Sequence, residues 1–240
     1  MLLDWLCRTE MLINAADVAK LRASHVLVAG VGGVGGYVAE MLCRAGIGRL
    51  TIIDGDKVQP SNRNRQLIAL CSNEGRLKTE VMAERLRDIN PEVQLELISE
   101  FIRDEQITEI VSKPFDYIVD AIDTLSPKVF LLYHAYKNNQ RIVSSMGAGG
   151  KLDPLQVRVD DISKTFNCRL CSVVRKRLRK IGVDRGIKTV FSTELIDKDL
   201  VVDCDEQNKK SIVGTISYMP AIFGCVCASV VIKDLRSIKK

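Results

Sequence analysis

Four glycines lie in one short turn that directly follows an apolar segment at residues 26–29. Three of them fit the pattern G-x-G-x-x-G, in which glycines allow a tight turn, close approach of backbone N–H groups to phosphate, and close packing of strand against helix. A helix beginning near residue 34 points its positive N-terminal end at such phosphates. The glycines of this turn are Gly30, Gly32, Gly33 and Gly35.

An acidic residue follows the next apolar segment. Residues 50–53 predict a second strand, and Asp54 comes directly after it. A carboxylate at this place in a strand–helix–strand unit accepts hydrogen bonds from ribose hydroxyls. The alternative is an unrelated glycine-rich turn of an α/β domain. We favour a nucleotide site because strand, turn, helix, strand and acid occur in the required order.

Fixed cations distinguish nucleotidyl transfer from hydride transfer. Nucleotidyl transfer must neutralise a triphosphate, usually with Arg, Lys and Mg²⁺, whereas hydride transfer needs no such cluster. Arg65 follows the second strand, and Lys78 begins the next predicted helix. Asp120 and Asp123 follow another apolar strand, which places them at the carboxyl edge of a parallel sheet, where ligands bind. The sequence therefore favours ATP chemistry.

These motifs together resemble, in order and spacing, the ubiquitin-activating (E1-like, ThiF) adenylation family over about residues 8–236. The family activates carboxylates with ATP, giving an acyl-adenylate and pyrophosphate. The resemblance implies an α/β fold with a Rossmann-like, doubly wound, mostly parallel sheet and helices on both faces. It implies ATP and Mg²⁺ as cofactors and one E1-like adenylation domain spanning residues 1–240.

The resemblance also implies roles for individual residues. Asp54 binds ribose, Arg65 and Lys78 bind phosphates, and Asp123 holds Mg²⁺; the last three are the catalytic set. The remaining ATP-site residues that it implies are the turn glycines, Asp56, Asn62 and Gln66.

A less secure match places an arginine at a subunit interface. Arg8 matches a family arginine that reaches the ATP of the other subunit. The resemblance therefore implies a homodimer to which residues 1–24 contribute.

Several of these residues also have structural interpretations. Asn62 could serve the turn that follows Pro60. Lys78 could be an exposed helix lysine, and Asp123 could cap the helix that starts near Pro127. We favour the functional set because all of these residues occur together at the spacing of the family.

Composition and apolar segments indicate the cellular compartment of the protein. The chain has 240 residues and a net charge of +5. Its longest apolar run, residues 221–232, is too short to span a bilayer as a helix and predicts a core helix. The N-terminal residues do not resemble a secretory signal. We therefore expect a cytoplasmic protein without membrane contact.

The eight cysteines bear on a metal site. Sulfur-carrier-activating members of the family hold a structural zinc with two C-x-x-C pairs, and Cys168 and Cys171 form one such pair. The later candidates are Cys204, Cys225 and Cys227. The last two lie two apart on a predicted helix and so point to different faces, which makes them a poor second pair. We expect no zinc, and we expect Cys43, Cys225 and Cys227 to be small core residues.

A basic segment suggests a nucleic-acid surface. Residues 169–188 contain eight cations against one acid, Asp184. Phosphate contacts from such cations supply most non-specific affinity for nucleic acid. The alternative is a solvated helix face. The candidate RNA-binding residues are Lys164, Arg169, Arg175, Lys176, Arg177, Arg179 and Lys180.

Further segments resemble one branch of the family. Residues 118–124, 145–150, 161–165, 190–194 and 214–220 are similar to the branch that dehydrates threonylcarbamoyladenosine in tRNA. The implied reaction adenylates the threonine carboxylate, after which the neighbouring carbamoyl nitrogen closes a hydantoin ring and AMP leaves. Because the attack is intramolecular, no protein nucleophile is required. The implied partner is tRNA, next to whose anticodon the modified base lies.

Two other functions stay open at this point. One is an adenylyltransferase that activates the C-terminus of a ubiquitin-like sulfur carrier, and the other is a non-enzymatic Rossmann-type binding protein. The second would have no use for Arg65, Lys78 and Asp123 together. A redox or sulfur-relay protein is an additional candidate partner.

Overall fold

A seven-stranded sheet forms the centre of the molecule in a computed structural model that describes residues 4–195, 201–206 and 209–236. The sheet strands are β1 (His25–Ala29), β2 (Arg49–Ile53), β3 (Gln94–Ile98), β4 (Tyr117–Asp120), β5 (Ile142–Ser145), β6 (Val157–Asp161) and β7 (Lys188–Ser192). A separate hairpin pairs β8 (Val201–Glu206) with β9 (Lys209–Val213).

The helices connect these strands and cover the sheet. They are α1 (Cys7–Ile13), α2 (Ala15–Ala23), α3 (Gly35–Arg44), α4 (Lys78–Ile89), α5 (Asp104–Ser112), α6 (Leu125–Lys137), α7 (Arg169–Lys180) and α8 (Tyr218–Arg236).

The strand order explains where a ligand binds. The order is β3-β2-β1-β4-β5-β7-β6, and every pair is parallel except β6 with β7. The chain runs outward from β1 to β3 and then returns to place β4 on the other side of β1. Open α/β sheets bind ligands at such a switch point, beyond the carboxyl ends of the strands. The glycine-rich turn leaves β1 at this point.

Helices cover both faces of the sheet. Side chains alternate along a strand, so Val26 and Val28 of β1 belong to one apolar cluster, with α3 and α8, while Leu27 and Ala29 belong to the other, with α6 and α7. A strand buried on both faces must be apolar throughout, which is why β1 shows no polar alternation. The predicted Rossmann-like α/β fold is confirmed.

Helix α8 is the core helix that its apolar run predicts. By length and composition it is the one helix of the described residues that could cross a membrane, but half of its most apolar window is buried in the molecule. It lies so close to α3 that a Cβ on Gly224 would meet Val34 O at 2.6 Å. Burial against α3 therefore accounts for its apolar composition.

The cysteine prediction holds in part. Cys43 and Cys227 are buried, but Cys225 is exposed, so its assignment to the core is wrong. Positions two apart on a helix differ by about 200° in direction. The burial of Cys227 therefore turns Cys225 towards the outside of α8.

Candidate functional site

The glycine-rich turn has a backbone that side chains would disrupt. Gly30 has φ of +90°, and a Cβ on Gly35 would lie 1.7 Å from Gly30 O. At Gly32 a Cβ would meet one neighbouring group within 4 Å, the Gln66 Nε2 atom at 3.8 Å. Strand β1 therefore leads into a tight turn whose middle residue borders open space, as a phosphate cradle requires.

Asp54 ties the end of β2 to this turn. Its Oδ2 accepts a hydrogen bond of 2.7 Å from the Val31 N–H, and its Oδ1 accepts one of 2.8 Å from the Asp56 N–H. Burial raises the pKa of this carboxyl group, and the charge of Lys78 and the two backbone donors oppose the shift. Each carboxylate oxygen has acceptor capacity left for a ribose hydroxyl.

Lys78 is a buried cation at the start of α4. Its side chain is 5% exposed, and its Nζ donates to Asp56 Oδ2 at 2.7 Å. The interpretation as an exposed helix lysine is therefore wrong. An ammonium group has three donors, so two remain for phosphate oxygens after the bond to Asp56.

Gln66 carries an unsatisfied acceptor beside the turn. The residue is 8% exposed, and its Oε1 has no hydrogen-bond partner among the described residues. Buried polar atoms are nearly always paired, so an exception next to a glycine cradle indicates a ligand group. This atom fits the ATP site that the sequence predicts.

Asn62 and Arg65 shape the loop before Gln66. Asn62 Oδ1 accepts from the Gln59 N–H at 3.2 Å, so this oxygen serves the turn, as the structural alternative proposed. Arg65 Nη1 donates to Ser61 O at 3.0 Å and to Asn64 Oδ1 at 2.8 Å. The Arg65 Cγ lies 3.5 Å from the position of a Cβ on Gly33, which places Arg65 against the glycine-rich turn.

Asp120 and Asp123 have different environments. Asp120 is fully buried; its Oδ2 pairs with Lys128 Nζ at 2.7 Å and its Oδ1 accepts from the Ile122 N–H at 3.1 Å. It therefore holds the fold together and does not face a ligand, contrary to the expectation for both carboxylates. Asp123 is exposed and lies one residue before Thr124, the N-cap of α6.

The turn after β4 borders the glycine-rich turn. A Cβ on Gly30 would lie 2.7 Å from Ala121 O, so the two backbones are in direct contact. The structure thus brings together the turn glycines, Asp54, Lys78, Gln66 and residues 120–123. They line one edge of the sheet, at the switch point.

Two residues that sequence reasoning missed support this arrangement. Lys128 is fully buried and also donates to Ile122 O at 2.9 Å, which fixes the turn that carries Asp123. Asn64 donates from Nδ2 to Thr215 O at 3.0 Å and so connects the Arg65 loop to the segment before α8. The sequence signal that could have identified Lys128 is its position as a charged residue within the mostly apolar sequence of α6.

Helix α7 separates its cations from an apolar face. Cys171, Val174 and Leu178 are buried, whereas the cations of the opposite face are exposed. An open hollow of about 480 Å³ lies along this helix, lined by Ser172, Arg175, Lys176, Arg179 and Lys180.

Three predicted RNA residues have structural partners. The Arg175 Nη1 donates to Thr165 O at 2.8 Å and to Ile162 O at 3.3 Å, and the side chain is half-buried. Its guanidinium therefore braces the turn before α7. Lys164 pairs with Asp160 at 3.6 Å, and Arg177 donates to Ser126 Oγ at 3.3 Å. Of the three, Arg175 is the one held inside the molecule.

Arg8 lies on an exposed apolar helix. It is exposed on α1, where Met11 and Leu12 are 86% and 83% exposed. No hydrogen bond or ion pair of the described residues joins Arg8 to the residues of the nucleotide site. The structure of one chain thus leaves Arg8 outside its own site.

Comparison with known proteins decides the family. A model of the ThiF family matches residues 6–240. The chain belongs to the ThiF family. The predicted E1-like resemblance is therefore confirmed over nearly the full length.

Two relatives within the family match most of this chain. The chain is 36% identical over 236 residues to tRNA threonylcarbamoyladenosine dehydratase of Bacillus subtilis (strain 168), which covers 95% of this chain and 93% of that protein. The crystal structure of the Escherichia coli tRNA N6-threonylcarbamoyladenosine dehydratase in complex with ATP superposes with a TM-score of 0.88 at 35% identity, covering 95% and 92% of the two chains.

A sulfur-carrier enzyme of the family is less similar. The sulfur carrier protein ThiS adenylyltransferase of Escherichia coli (strain K12) is 31% identical over 183 residues, which is 71% of this chain and 72% of that protein.

Proposed function

We propose that this protein uses ATP to dehydrate threonylcarbamoyladenosine in tRNA to the cyclic hydantoin form. The observation that carries the proposal is the buried Lys78 ammonium, which pairs with Asp56 two residues after Asp54, in a chain that matches named dehydratases over most of its length. The crystal structure of the Escherichia coli relative in complex with ATP supports ATP as the nucleotide. The sulfur-carrier alternative is the less similar branch.

The reaction follows from the site in two steps. An oxygen of the threonine carboxylate attacks the α-phosphorus of ATP, and the bond to the β-phosphate oxygen breaks as pyrophosphate leaves. Arg65 and Lys78 stabilise the charge on the phosphates during this step. The carbamoyl nitrogen then attacks the activated carbonyl carbon, loses its proton, and expels AMP. Ring closure within one substrate molecule needs positioning and no protein nucleophile.

Asp123 is the residue that would hold Mg²⁺. Its exposed carboxyl group beyond β4 fits this role, because Mg²⁺ usually binds one or two carboxylates together with substrate phosphates and water. When bound, Mg²⁺ neutralises phosphate charge. No cluster of three or more candidate metal ligands occurs among the described residues, and such a shared site needs none.

The exposed cations of α7 form the proposed tRNA surface. We define this basic face by four residues. It leaves out Arg175, whose guanidinium bonds to backbone carbonyls, and Arg177, which donates to Ser126 Oγ. Tight phosphate binding needs cations that can reach outward from the protein surface. The basic face consists of Arg169, Lys176, Arg179 and Lys180.

The proposed oligomeric state, cellular location and partner protein depend on the proposed function. A homodimer in which Arg8 reaches the partner's ATP would cover the exposed Met11 and Leu12 of α1. A tRNA substrate places the activity in the cytoplasm. A redox or sulfur-relay partner stays a prediction.

An exchange assay tests the function. Radiolabelled pyrophosphate should enter ATP when wild-type protein and tRNA carrying threonylcarbamoyladenosine are both present, and not with unmodified tRNA. Lys78→Met should lower this exchange by about 10²–10³, the usual effect of removing one preorganised charge. Lys137→Met, an exposed lysine of α6, is the control and should exchange normally. Exchange driven by a sulfur-carrier tail instead of tRNA would refute the proposal.

A further inference from the structure

Two cysteines meet at the start of α7, outside the ATP site. Cys168 is the N-cap residue of the helix, and Cys171 lies in its first turn. Cys168 is 6% exposed to solvent and Cys171 is 0% exposed. The established motifs of the nucleotide site do not use either thiol, and tRNA ring closure requires no protein nucleophile.

A hydrogen bond joins the two cysteines. The Cys171 N–H points at Cys168 Sγ with a distance of 3.5 Å. Hydrogen bonding from Cys171 lowers the pKa of Cys168 to about 6, whereas the neighbouring Cys168 sulfur and burial raise the pKa of Cys171. Cys168 is therefore the thiol of the pair that loses its proton more readily.

A buried lysine supplies the counter-charge. Lys151 is 1% exposed, and its Nζ donates to Glu194 O, a neutral acceptor. The Glu194 carboxylate itself accepts from the Leu152 and Asp153 N–H groups. Burial lowers the pKa of Lys151, and the Cys168 sulfur and the Glu194 carboxylate oppose this shift. The charge of Lys151 in turn stabilises the Cys168 thiolate.

The position of the pair favours thiol chemistry over two alternatives. As a helix cap alone, cysteine is a weak choice, since Ser, Thr, Asp and Asn are preferred there. As half of a tetrahedral zinc site the pair has no third candidate ligand among the described residues. A C-x-x-C pair that begins a helix is the arrangement that forms a short-range disulfide readily.

We propose that Cys168 and Cys171 are a redox-active dithiol that a hydroperoxide converts to an intramolecular disulfide. The Cys168 thiolate attacks the peroxide, the O–O bond breaks, and Cys168 becomes a sulfenic acid as hydroxide, or the alkoxide of an organic hydroperoxide, takes up a proton. The Cys171 sulfur then attacks the Cys168 sulfur, the S–O bond breaks, and water leaves. Two thiols are oxidised and one peroxide is reduced. The low exposure of Cys168 favours an oxidant of this small size.

Oxidation also weakens a hydrogen bond in the first turn of α7. A disulfide sulfur is a weaker acceptor than a thiolate, so the Cys171 N–H loses its charged partner. We expect the Cys171 amide to exchange with solvent at least tenfold faster in the oxidised protein. This readout is independent of catalysis.

Peptide mapping of the full-length protein tests the proposal. Protein treated with one to two equivalents of hydrogen peroxide and quenched with an alkylating reagent should yield a peptide with the 168–171 disulfide, which dithiothreitol reverses. Cys171→Ala should instead accumulate a sulfenic acid at Cys168 that dimedone traps. Cys227, buried in α8, is the internal control and should stay reduced.

Two results would overturn the proposal. One is a pair that stays reduced at peroxide levels that oxidise the exposed Cys7 and Cys71. The other is native mass spectrometry showing a zinc ion on the pair of the purified protein, released by a chelator and absent from Cys168→Ser. In that case the pair is half of a metal site.

Discussion

Lys128→Met should destabilise the protein far more than its small change in volume suggests. Lys128 and Asp120 are both completely buried, with 2.7 Å between Nζ and Oδ2. Methionine keeps the length of the side chain but leaves the buried Asp120 carboxyl group without its cationic partner, and it removes the donor to Ile122 O. Breaking a buried ion pair from one side costs about 3–5 kcal/mol in the free energy of unfolding.

The expected change is large enough to measure by two methods. A loss of 3–5 kcal/mol corresponds to a fall in Tm of roughly 6–20 °C for a chain of this size. Urea unfolding followed by circular dichroism should show a lower midpoint with an unchanged m-value, because the surface exposed on unfolding stays the same.

A second variant separates the charge effect from packing. Asp120→Asn together with Lys128→Met leaves no buried charge and should recover part of the loss. Lys78→Met is the matched control, because its partner Asp56 has a side chain that is 52% exposed and can be hydrated. Its stability should fall by about 1 kcal/mol or less. Equal losses in the two lysine variants, or no recovery in the double variant, would refute this reasoning.

Three further predictions concern the turn, the pH response and the basic face. Gly35→Ala should weaken ATP binding at least tenfold by calorimetry, because its Cβ would meet Gly30 O at 1.7 Å, whereas Gly36→Ala, with neighbours at 3.7 Å and beyond, should bind normally. Burial lowers the pKa of His25 below its ordinary 6.5, so the contribution of neutral His25 to stability is present above pH 6.5 and is lost as pH falls through the lowered pKa. The urea midpoints of wild type and His25→Gln should therefore converge in acid. A difference between the midpoints that stays constant with pH would contradict this. Lys176→Glu with Arg179→Glu should weaken tRNA binding and reduce the slope of log affinity against log salt concentration by about two units. Arg87→Glu with Arg103→Glu makes the same charge change elsewhere and should leave both unchanged. Equal effects of the two double variants would mean that α7 is only a solvated helix face.

The parts of the fold that depend on local pattern could be predicted. Strands β1, β2 and β4 follow the apolar segments, because parallel strands buried on both faces are apolar throughout. The glycine spacing located the turn, and the start of α4 at Lys78 was correct. These features are encoded within a few neighbouring residues.

The features that the sequence did not distinguish depend on contacts between residues that are separated in sequence. Asp120 and Asp123 are equivalent by sequence, and the distinction between them depends on Lys128 one turn into α6. Arg175 belongs to a basic run, but its bonds reach back to Thr165 across the turn before α7. Composition gives the sign of a charge; burial against a partner decides whether that charge faces the solvent.

The unpaired oxygen of Gln66 predicts which part of a nucleotide the proposed site would contact. The described residues contain two buried side-chain atoms without partners, Gln66 Oε1 and Gln140 Oε1, and Gln66 is the one that lies beside Gly32. An unpaired acceptor needs a donor from the ligand. Phosphate oxygens at neutral pH offer none, whereas ribose hydroxyls and the adenine amine do. The turn N–H groups and Lys78 therefore suit the phosphates, and Gln66 suits the nucleoside.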